Sequence, residues 1–356
     1  MPRRFRLVDT GLRTGRENIA LDQAMVDARL AGEIPDTLRF IGFKPSALVG
    51  RHQAVQQELK PEYCRAHGIE IGRRITGGGA IYMDEGILGW ALVCDRRTLG
   101  GALPDITRAI CEAAARGLSK LGVDARFRPR NDIEVDGRKI SGTGGFFDGD
   151  ALIYQGTVLG ALAPQTMLSV LNVPQAKLEK RALDNAAQRV VTLAELLDGA
   201  PDWGRVKDAL ARGFAEGLGI EFEPGVLSEA EEARARRLHE DEIGTDRFVY
   251  EIDDPAGDRD VRAGAHTGAG GTVTAYVRLE GANNSRFREI LFCGDFFVAP
   301  PRVVLDLEAC LRGVSVTDAE QRVQTFFGEL DGGCLLSIGA NDFIAALRAA
   351  TAEALA

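Results

Sequence analysis

Three apolar, β-prone segments follow one another in a short stretch, Ile69 to Thr76, Ala80 to Asp84 and Ile87 to Cys94, separated only by brief breaks that contain glycine. A parallel neighbour needs a crossover of a dozen or more residues, usually helical, so strands this close in sequence pair antiparallel. The pattern holds on either side. Leu38 to Phe43 and Ala47 to Gly50 flank the turn Lys44-Pro45-Ser46. Phe127 to Val135 is joined to Lys139 to Ser141 by Asp136-Gly137, whose glycine tolerates the positive φ of a two-residue hairpin. Leu152 to Leu159 is the next strand, after a Gly144-to-Gly149 stretch that reads as flexible. Parallel βαβ folds are thereby excluded. No G-x-x-x-x-G-K-[ST] occurs, and Gly142-Thr143-Gly144-Gly145 opens no helix for a dinucleotide. A G-x-S-x-G elbow for a serine nucleophile is also absent.

Helices alternate with these strands. Leu21, Ala24, Met25 and Ala28 line one face of a helix that starts near Glu17, and Asp105 caps another that runs to Leu121 and is stopped by Gly122. Helical patterns dominate from Gln175 to Leu218, and a charge-dense helix spans Leu227 to Leu238. Apolar periodicity lapses from Glu240 to Asp246, which places a domain boundary near residue 245. Beyond it, Phe248 to Ile252, Thr272 to Leu279 and Arg286 to Cys293 read as strands, and Val303 to Leu311, Asp318 to Phe327 and Asn341 to Leu355 as helices. Pro255 to Gly271 reads as a mobile loop. Strands first and helices after describe a small α+β domain. The 356 residues therefore divide into 1–245 and 246–356, in keeping with a typical domain of about 150 residues.

A formal charge of -9 argues against a chain whose main task is coating nucleic acid or anionic lipid. Charges rather than an apolar run follow Met1, and no stretch approaches the roughly 20 apolar residues of a membrane span. A cytoplasmic, monomeric protein is expected. Cys64, Cys94, Cys111, Cys293, Cys310 and Cys334 form no C-x-x-C pair, and most read as small buried residues of a reducing compartment. The four histidines are too scattered to build a metal site.

Two segments carry chemistry. In Arg73-Arg74-Ile75-Thr76-Gly77-Gly78-Gly79-Ala80-Ile81-Tyr82-Met83-Asp84, two guanidiniums end a strand and three glycines follow. Either the glycine backbone approaches an anionic ligand with the arginines beside it, or the segment is a glycine-rich turn with surface arginines. In Arg130-Asn131-Asp132-Ile133-Glu134-Val135-Asp136-Gly137-Arg138-Lys139-Ile140-Ser141-Gly142, alternation sets Asn131, Ile133 and Val135 on one face and Asp132 and Glu134 on the other, while Lys139 and Ser141 share a face. Lys139 is then a rigidly held transition-state group or an ordinary exposed hairpin lysine.

Taken in this order, the two segments resemble the biotin/lipoate protein ligase and lipoyl/octanoyl transferase family, and within it the lipoate-protein ligases, with their R-R-x-[ST]-G-G-G-A and N-D-[LI]-x-V-[DE]-G-[RK]-K-[IV]-[SA]-G elements. Asn18-Ile19-Ala20-Leu21-Asp22-Gln23-Ala24, Val49-Gly50-Arg51-His52-Gln53, Gln155-Gly156-Thr157-Val158-Leu159 and Gln188-Arg189-Val190-Val191-Thr192 extend the likeness over about residues 15 to 230. Cys293-Gly294-Asp295-Phe296-Phe297 and Leu305 to Gly313 look like the G-D-F-F and L-E-x-x-L-x-G elements of the family's accessory domain, here fused.

The resemblance implies an α+β fold, with an antiparallel or mixed sheet flanked by helices like that of biotin ligase and class II aminoacyl-tRNA synthetases. It implies an ATP-dependent lipoate-protein ligase that makes lipoyl-AMP and passes the lipoyl group to one lysine of a carrier, a lipoyl domain or a glycine-cleavage-H-like protein. Lys139 would be the catalytic group. Arg73 and the backbone of Gly77, Gly78 and Gly79 would border the lipoyl and phosphate positions, with Arg74 structural or assisting pyrophosphate. Asn131 and Asp132 would hold phosphates and, through Asp132, Mg²⁺, and Thr157 would lie by the nucleotide. Thr76, Ala80, Ser141, Gly142 and Gly156 complete the implied substrate and nucleotide contacts, and Leu48 and Val49 would wall the lipoyl tail. Seven cations, Arg73, Arg74, Arg126, Arg128, Arg130, Arg138 and Lys139, would give an acidic chain a basic site.

This sequence departs from the family at Met83 and Gln155, each in place of His, and at Thr143 to Phe147. Those changes point to a specialised branch, such as ligases for a lipoate-binding protein of sulfur oxidation. Two rivals stand beside the ligase. One is an octanoyl or lipoyl transferase working through a cysteine thioester, for which no cysteine lies between Ser141 and Asn172. The other is a non-catalytic lipoyl- or nucleotide-binding protein.

Overall fold

The structure, a computed structural model, describes residues 3–100, 103–161, 164–172, 189–257, 260–330 and 335–352. The chain separates into two compact units: Met1–Leu48, Lys60–Gly72 and Ile81–Phe248 in the first, and Val49–Leu59, Arg73–Ala80 and Val249–Ala356 in the second. The last change of unit falls after Phe248. The two short earlier segments that join the second unit carry no marker in the sequence.

The first unit is built on an eight-stranded mixed sheet. Its strands are β1 (Arg3–Arg13), β2 (Thr37–Phe43), β6 (Ile87–Asp95), β7 (Arg126–Arg128), β8 (Asp132–Val135), β9 (Arg138–Asp148), β10 (Ala151–Leu159) and β11 (Ile220–Pro224), in the order β11-β1-β2-β6-β10-β9-β8-β7. From β2 to β7 every pairing is antiparallel; short connections account for β10–β9, β9–β8 and β8–β7, while β2–β6 and β6–β10 join strands far apart in sequence. The neighbouring segments Ile69 to Thr76, Ala80 to Asp84 and Ile87 to Cys94 do not pair with one another as their short breaks led us to expect: the third lies in this sheet and the first two flank another strand in a smaller one. The antiparallel expectation also has limits at the sheet's edge. Two edge strands depart from that expectation: β1 pairs parallel with both β2 and β11, because helices intervene in sequence on each side. A smaller sheet, β4-β3-β5, contains β3 (Ser46–Val49), β4 (Glu70–Arg73) and β5 (Ile81–Met83).

Helix α1 (Gly15–Leu30) opens on a capping box, Thr14 accepting from the Glu17 amide while Glu17 caps Thr14 in return. Helices α2 (Leu103–Ser119) and α3 (Trp203–Leu218) pack together on a core that includes Trp90, Ile110, Ile133, Ile140, Leu210 and Phe214. Helix α4 (Glu229–Leu238) lies on α1 and is tied to β1 by Arg6–Glu231 and Arg13–Glu232 ion pairs. Residues 175–188 of the helical pattern expected from Gln175 to Leu218 fall outside the described residues, as do Cys334 and residues 353–356.

In the second unit, β12 (Arg262–Gly268), β13 (Gly271–Glu280) and β14 (Arg286–Gly294) form an antiparallel sheet, covered by α5 (Val303–Leu311), α6 (Ala319–Glu329) and α7 (Ala340–Thr351). The expected loop from Pro255 to Gly271 therefore contains a strand. Its small and polar residues sit on a half-exposed edge, which hides the apolar alternation. Phe248 to Ile252, expected as a strand, is instead the end of a helical turn, Asp246–Val249, and a bend. Among the described residues no helix is long and apolar enough to cross a membrane.

Candidate functional site

The β8–β9 hairpin lifts Lys139 onto an open patch of the large sheet. Between Ile133 and Glu134 the register shifts, so that Ser141 pairs with Ile133 but Lys139 pairs with Glu134, leaving Ile140 as an extra residue. That bulge overturns the expectation that Lys139 and Ser141 share a face. Ile140 and Ser141 are both fully buried, and Ser141 Oγ has no hydrogen-bond partner among the described residues. Lys139 stays with Asp132 and Glu134. Its Nζ lies 2.7 Å from Asp132 Oδ1, and Asp132 Oδ2 accepts from Arg128 at 2.6 Å. With Lys139 38% exposed, this ion pair is worth about 0–1 kcal/mol, so a substrate anion can take the ammonium at little cost.

Bare backbone underlies the lysine. A Cβ at Gly142 would lie 2.9 Å from both Cε and Nζ of Lys139. The Gly142 N–H faces Thr157 Oγ1 on the neighbouring β10 at 3.4 Å. The main chain of Lys139 is clamped from outside the hairpin as well: its N–H donates to the Arg189 carbonyl at 2.8 Å, and its carbonyl accepts from Val191 N–H at 2.9 Å. The motif Arg189-Val190-Val191-Thr192 thus braces the lysine strand. Thr192 caps the short helix Leu193–Leu196, from which Glu195 pairs with Arg138.

Asn131 is held face to face with Thr143. Its side-chain amide donates to the Thr143 carbonyl, and its own carbonyl accepts from both the N–H and the hydroxyl of Thr143, at 2.9 and 2.8 Å. The Thr143 hydroxyl also meets Tyr154 Oη at 2.8 Å and Cys111 Sγ at 3.3 Å. Thr143, Tyr154 and Cys111 are buried, and sequence reasoning gave none of them a part in the site; only the threonine's departure from the family pattern marked it. Burial pushes the Cys111 thiol and the Tyr154 phenol up, so both stay protonated. Gly156 has another use than nucleotide contact on its side-chain side: a Cβ there would sit 2.2 Å from Cζ2 of the buried Trp90. Gln155 donates to Asp22 at 2.6 Å, and Asp22 pairs with the fully buried Arg39.

The donors do not make a resident Mg²⁺ site. No group of three metal-ligating side chains occurs among the described residues, and both Asp132 oxygens already face cations. Nor is the patch strongly basic: Arg126, Arg128, Arg138 and Lys139 are offset by Asp124, Asp132, Glu134 and Glu195.

The other motif, Arg73–Ala80, belongs to the second unit. Arg73 is fully buried and donates to the carbonyls of Gly50, Arg51, Gln53, Val249 and Ile252, which makes it a cross-brace in this structure. Arg74 curls over its own loop, donating to Thr76 Oγ1 at 3.3 Å and to the Gly77 and Gly79 carbonyls at 2.9 Å. Burial lowers the pKa of each guanidinium to about 10, which leaves both charged at neutral pH. A glycine-rich turn with surface arginines is not what forms, since Arg73 is buried and Arg74 is half-buried against its own loop.

Residues 14–215 match the family model for the lipoyl protein ligase A/B catalytic domain. The chain belongs to that family. An octanoyltransferase LipM from Symbiobacterium thermophilum is 31% identical over 70% of this chain and 98% of its own length. A lipoate-protein ligase A subunit 1 from Thermoplasma acidophilum is 30% identical over 70% of this chain and 96% of its own. Among solved structures, the bipartite lipoate protein ligase of T. acidophilum, described with its E2 lipoyl domain, aligns with a TM-score of 0.63 at 27% identity, covering 70% of this chain and 97% of that one. A lipoate-protein ligase A bound with ATP aligns at 0.62 and 27%, covering 70% and 99%. The P. falciparum LipL1 structure shares the fold across 92% of this chain and 95% of its own, with a TM-score of 0.71 at 16% identity. The chain is thus an enzyme of the lipoate ligase and transferase family with an α+β fold.

Proposed function

We propose that this chain is an ATP-dependent lipoate-protein ligase. The observation that carries the reading is the state of its thiols. A transferase that works through a thioester needs an accessible, readily ionised cysteine. The one described thiol tied to the Lys139 patch, Cys111, is fully buried beneath Thr143 with its pKa raised by burial, and Cys64 and Cys94 are equally buried. With no accessible thiol beside Lys139 among the described residues, we infer that activation falls to ATP. The lipoate carboxylate attacks the α-phosphate and expels pyrophosphate; the carrier lysine amine then attacks the acyl carbon and AMP leaves. Lys139 supplies positive charge at the phosphate in the first step and at the acyl oxygen in the second, while Asn131 and the Gly142–Thr157 edge border the nucleotide. Metal ion enters with the nucleotide rather than as a resident group. The carrier is a lipoyl domain or a glycine-cleavage-H-like protein, and the second unit is the fused accessory domain.

A second reading is kept because the relatives' names favour it: LipM octanoyltransferases are prominent among them. One experiment separates the two. The full chain is incubated with an apo lipoyl domain and either lipoate with Mg-ATP or octanoyl-acyl-carrier protein without ATP, and carrier mass and pyrophosphate are measured. Acylation from lipoate with stoichiometric pyrophosphate, retained in Cys111→Ala, supports the ligase. ATP-independent octanoyl transfer that disappears on a cysteine substitution establishes the transferase instead.

A further inference from the structure

The glycines of Arg73–Ala80 do not all face the same thing. A Cβ at Gly77 would lie 2.1 Å from the Phe296 carbonyl oxygen. One at Gly78, where φ is +91°, would lie 2.6 Å from Cζ of the Phe297 ring. The Gly78 N–H donates to the Phe296 carbonyl at 3.2 Å. At Gly79, by contrast, a Cβ would meet nothing within 4 Å. Two glycines are therefore spent on packing inside the second unit, and only the third faces open space.

The seat they rest on is rigid. Phe296 is fully buried, stacks on His52 with ring centroids 5.0 Å apart and packs edge-on against Phe343 at 5.5 Å. Phe297 is fixed through its main chain, its N–H donating to Ser337 Oγ at 3.0 Å and its carbonyl accepting from Leu336 N–H at 3.2 Å. Three of the loop's carbonyls have further donors: Arg51 N–H donates to the Thr76 carbonyl at 2.9 Å, and Arg74 holds the carbonyls of Gly77 and Gly79.

We propose that Phe297 is a positioning residue: its ring seats Gly78, so that Gly79 presents bare backbone to the anionic carboxylate or acyl-phosphate end of the substrate. The functional half of this inference rests on the ligase reading above; the seat itself does not. The loop thus belongs mechanically to the second unit.

The test uses the full chain with Phe297→Ala, Phe297→Tyr and Gly78→Ala. Amide hydrogen exchange reports on the peptide spanning residues 73–80, and steady-state kinetics report KM for lipoate against kcat. Phe297→Ala should speed exchange of that peptide at least tenfold, with β13 and β14 changed less than twofold, and raise KM about tenfold with kcat within threefold. Phe297→Tyr, which keeps the ring, should restore both. Gly78→Ala should match Phe297→Ala and add little to it in the double variant. Wild-type exchange and KM in Phe297→Ala, or no rescue by Phe297→Tyr, would overturn the proposal. If Phe297→Ala loosens the whole second unit, Gly78→Ala decides: exchange confined to residues 73–80 supports the seat and unchanged exchange refutes it. A wild-type chain that makes no adenylate would defeat the ligase reading, while the exchange result would still judge the seat.

Discussion

Replacing Gly142 with alanine separates catalysis from stability at the Lys139 patch. The new methyl would lie 2.9 Å from Lys139 Cε and Nζ, whereas favourable heavy-atom contacts lie near 3.5–4.0 Å, so the ammonium must retreat by about 0.6–1 Å. The fold has no reason to object. What yields is the far end of a flexible side chain, Gly142 has an ordinary negative φ, and the half-exposed Lys139–Asp132 pair is worth only about 0–1 kcal/mol. Loss of the glycine's backbone entropy cost, about 0.5–1 kcal/mol, offsets even that. The melting temperature should stay within about 3 °C of the parent. Turnover is different: in the role proposed for Lys139, a displacement of about 1 Å costs on the order of 100-fold, or about 2.7 kcal/mol in barrier. Single-turnover acylation of the apo-carrier, followed by mass, measures that loss, with Lys139→Ala as the floor and a thermal melt as the folding control. Turnover within threefold of wild type in a folded Gly142→Ala protein would show that the ammonium's seat over Gly142 is not its working position.

Three further outcomes are expected. Arg73→Lys keeps the charge but strips most of the donors from five buried carbonyls, and at about 1–3 kcal/mol per unpaired group it should destabilise the second unit by at least about 3 kcal/mol in urea unfolding; a change under 1 kcal/mol would contradict the cross-brace. Gly156→Ala drives a methyl against the rigid, buried Trp90 ring and should cost about 1–3 kcal/mol by overpacking, read from denaturant midpoints, and full stability would mean that the ring has room to move. Glu308 is buried, accepts from Phe292 N–H, and is pushed up to about 7 chiefly by desolvation, with Glu251 adding and Arg312 and Arg51 opposing. Because its folded pKa exceeds the unfolded 4.5, its contribution is complete below about pH 4.5 and is lost as pH rises through 7. Glu308→Gln should therefore stabilise at pH 8 and not at pH 4.5, and equal effects at both would refute the assignment.

Much of the architecture was legible because local pattern and local cause coincide. Short turns set the antiparallel pairing of β10, β9 and β8, and Asp136-Gly137 marked the hairpin that carries Lys139; the glycine breaks around Gly77–Gly79 and Gly86 did not do the same for β4, β5 and β6, which do not pair with one another. Other parts depended on registers and partners that no local pattern encodes. The bulge at Ile140 reassigned Ser141 to the core, and small polar residues concealed β12. Thr143, Tyr154 and Cys111 form one buried network only because β9, β10 and α2 come together.

By itself, the sequence determined the family, the mixed α+β class and the lysine on its hairpin, since motif order and spacing are properties of the chain alone. Only the tertiary structure shows what Arg73 and the first two glycines of the Arg73–Ala80 motif pack against. Arg73 and the first two glycines looked like ligand groups because charged donors and absent side chains suit an anion. They suit a close approach of protein backbone equally well, and the carbonyls of Gly50, Arg51, Gln53, Val249 and Ile252 and the Phe296–Phe297 segment supply that backbone, much of it from far along the chain. A guanidinium's partners are set by what surrounds it in space, and that no spacing in the sequence discloses.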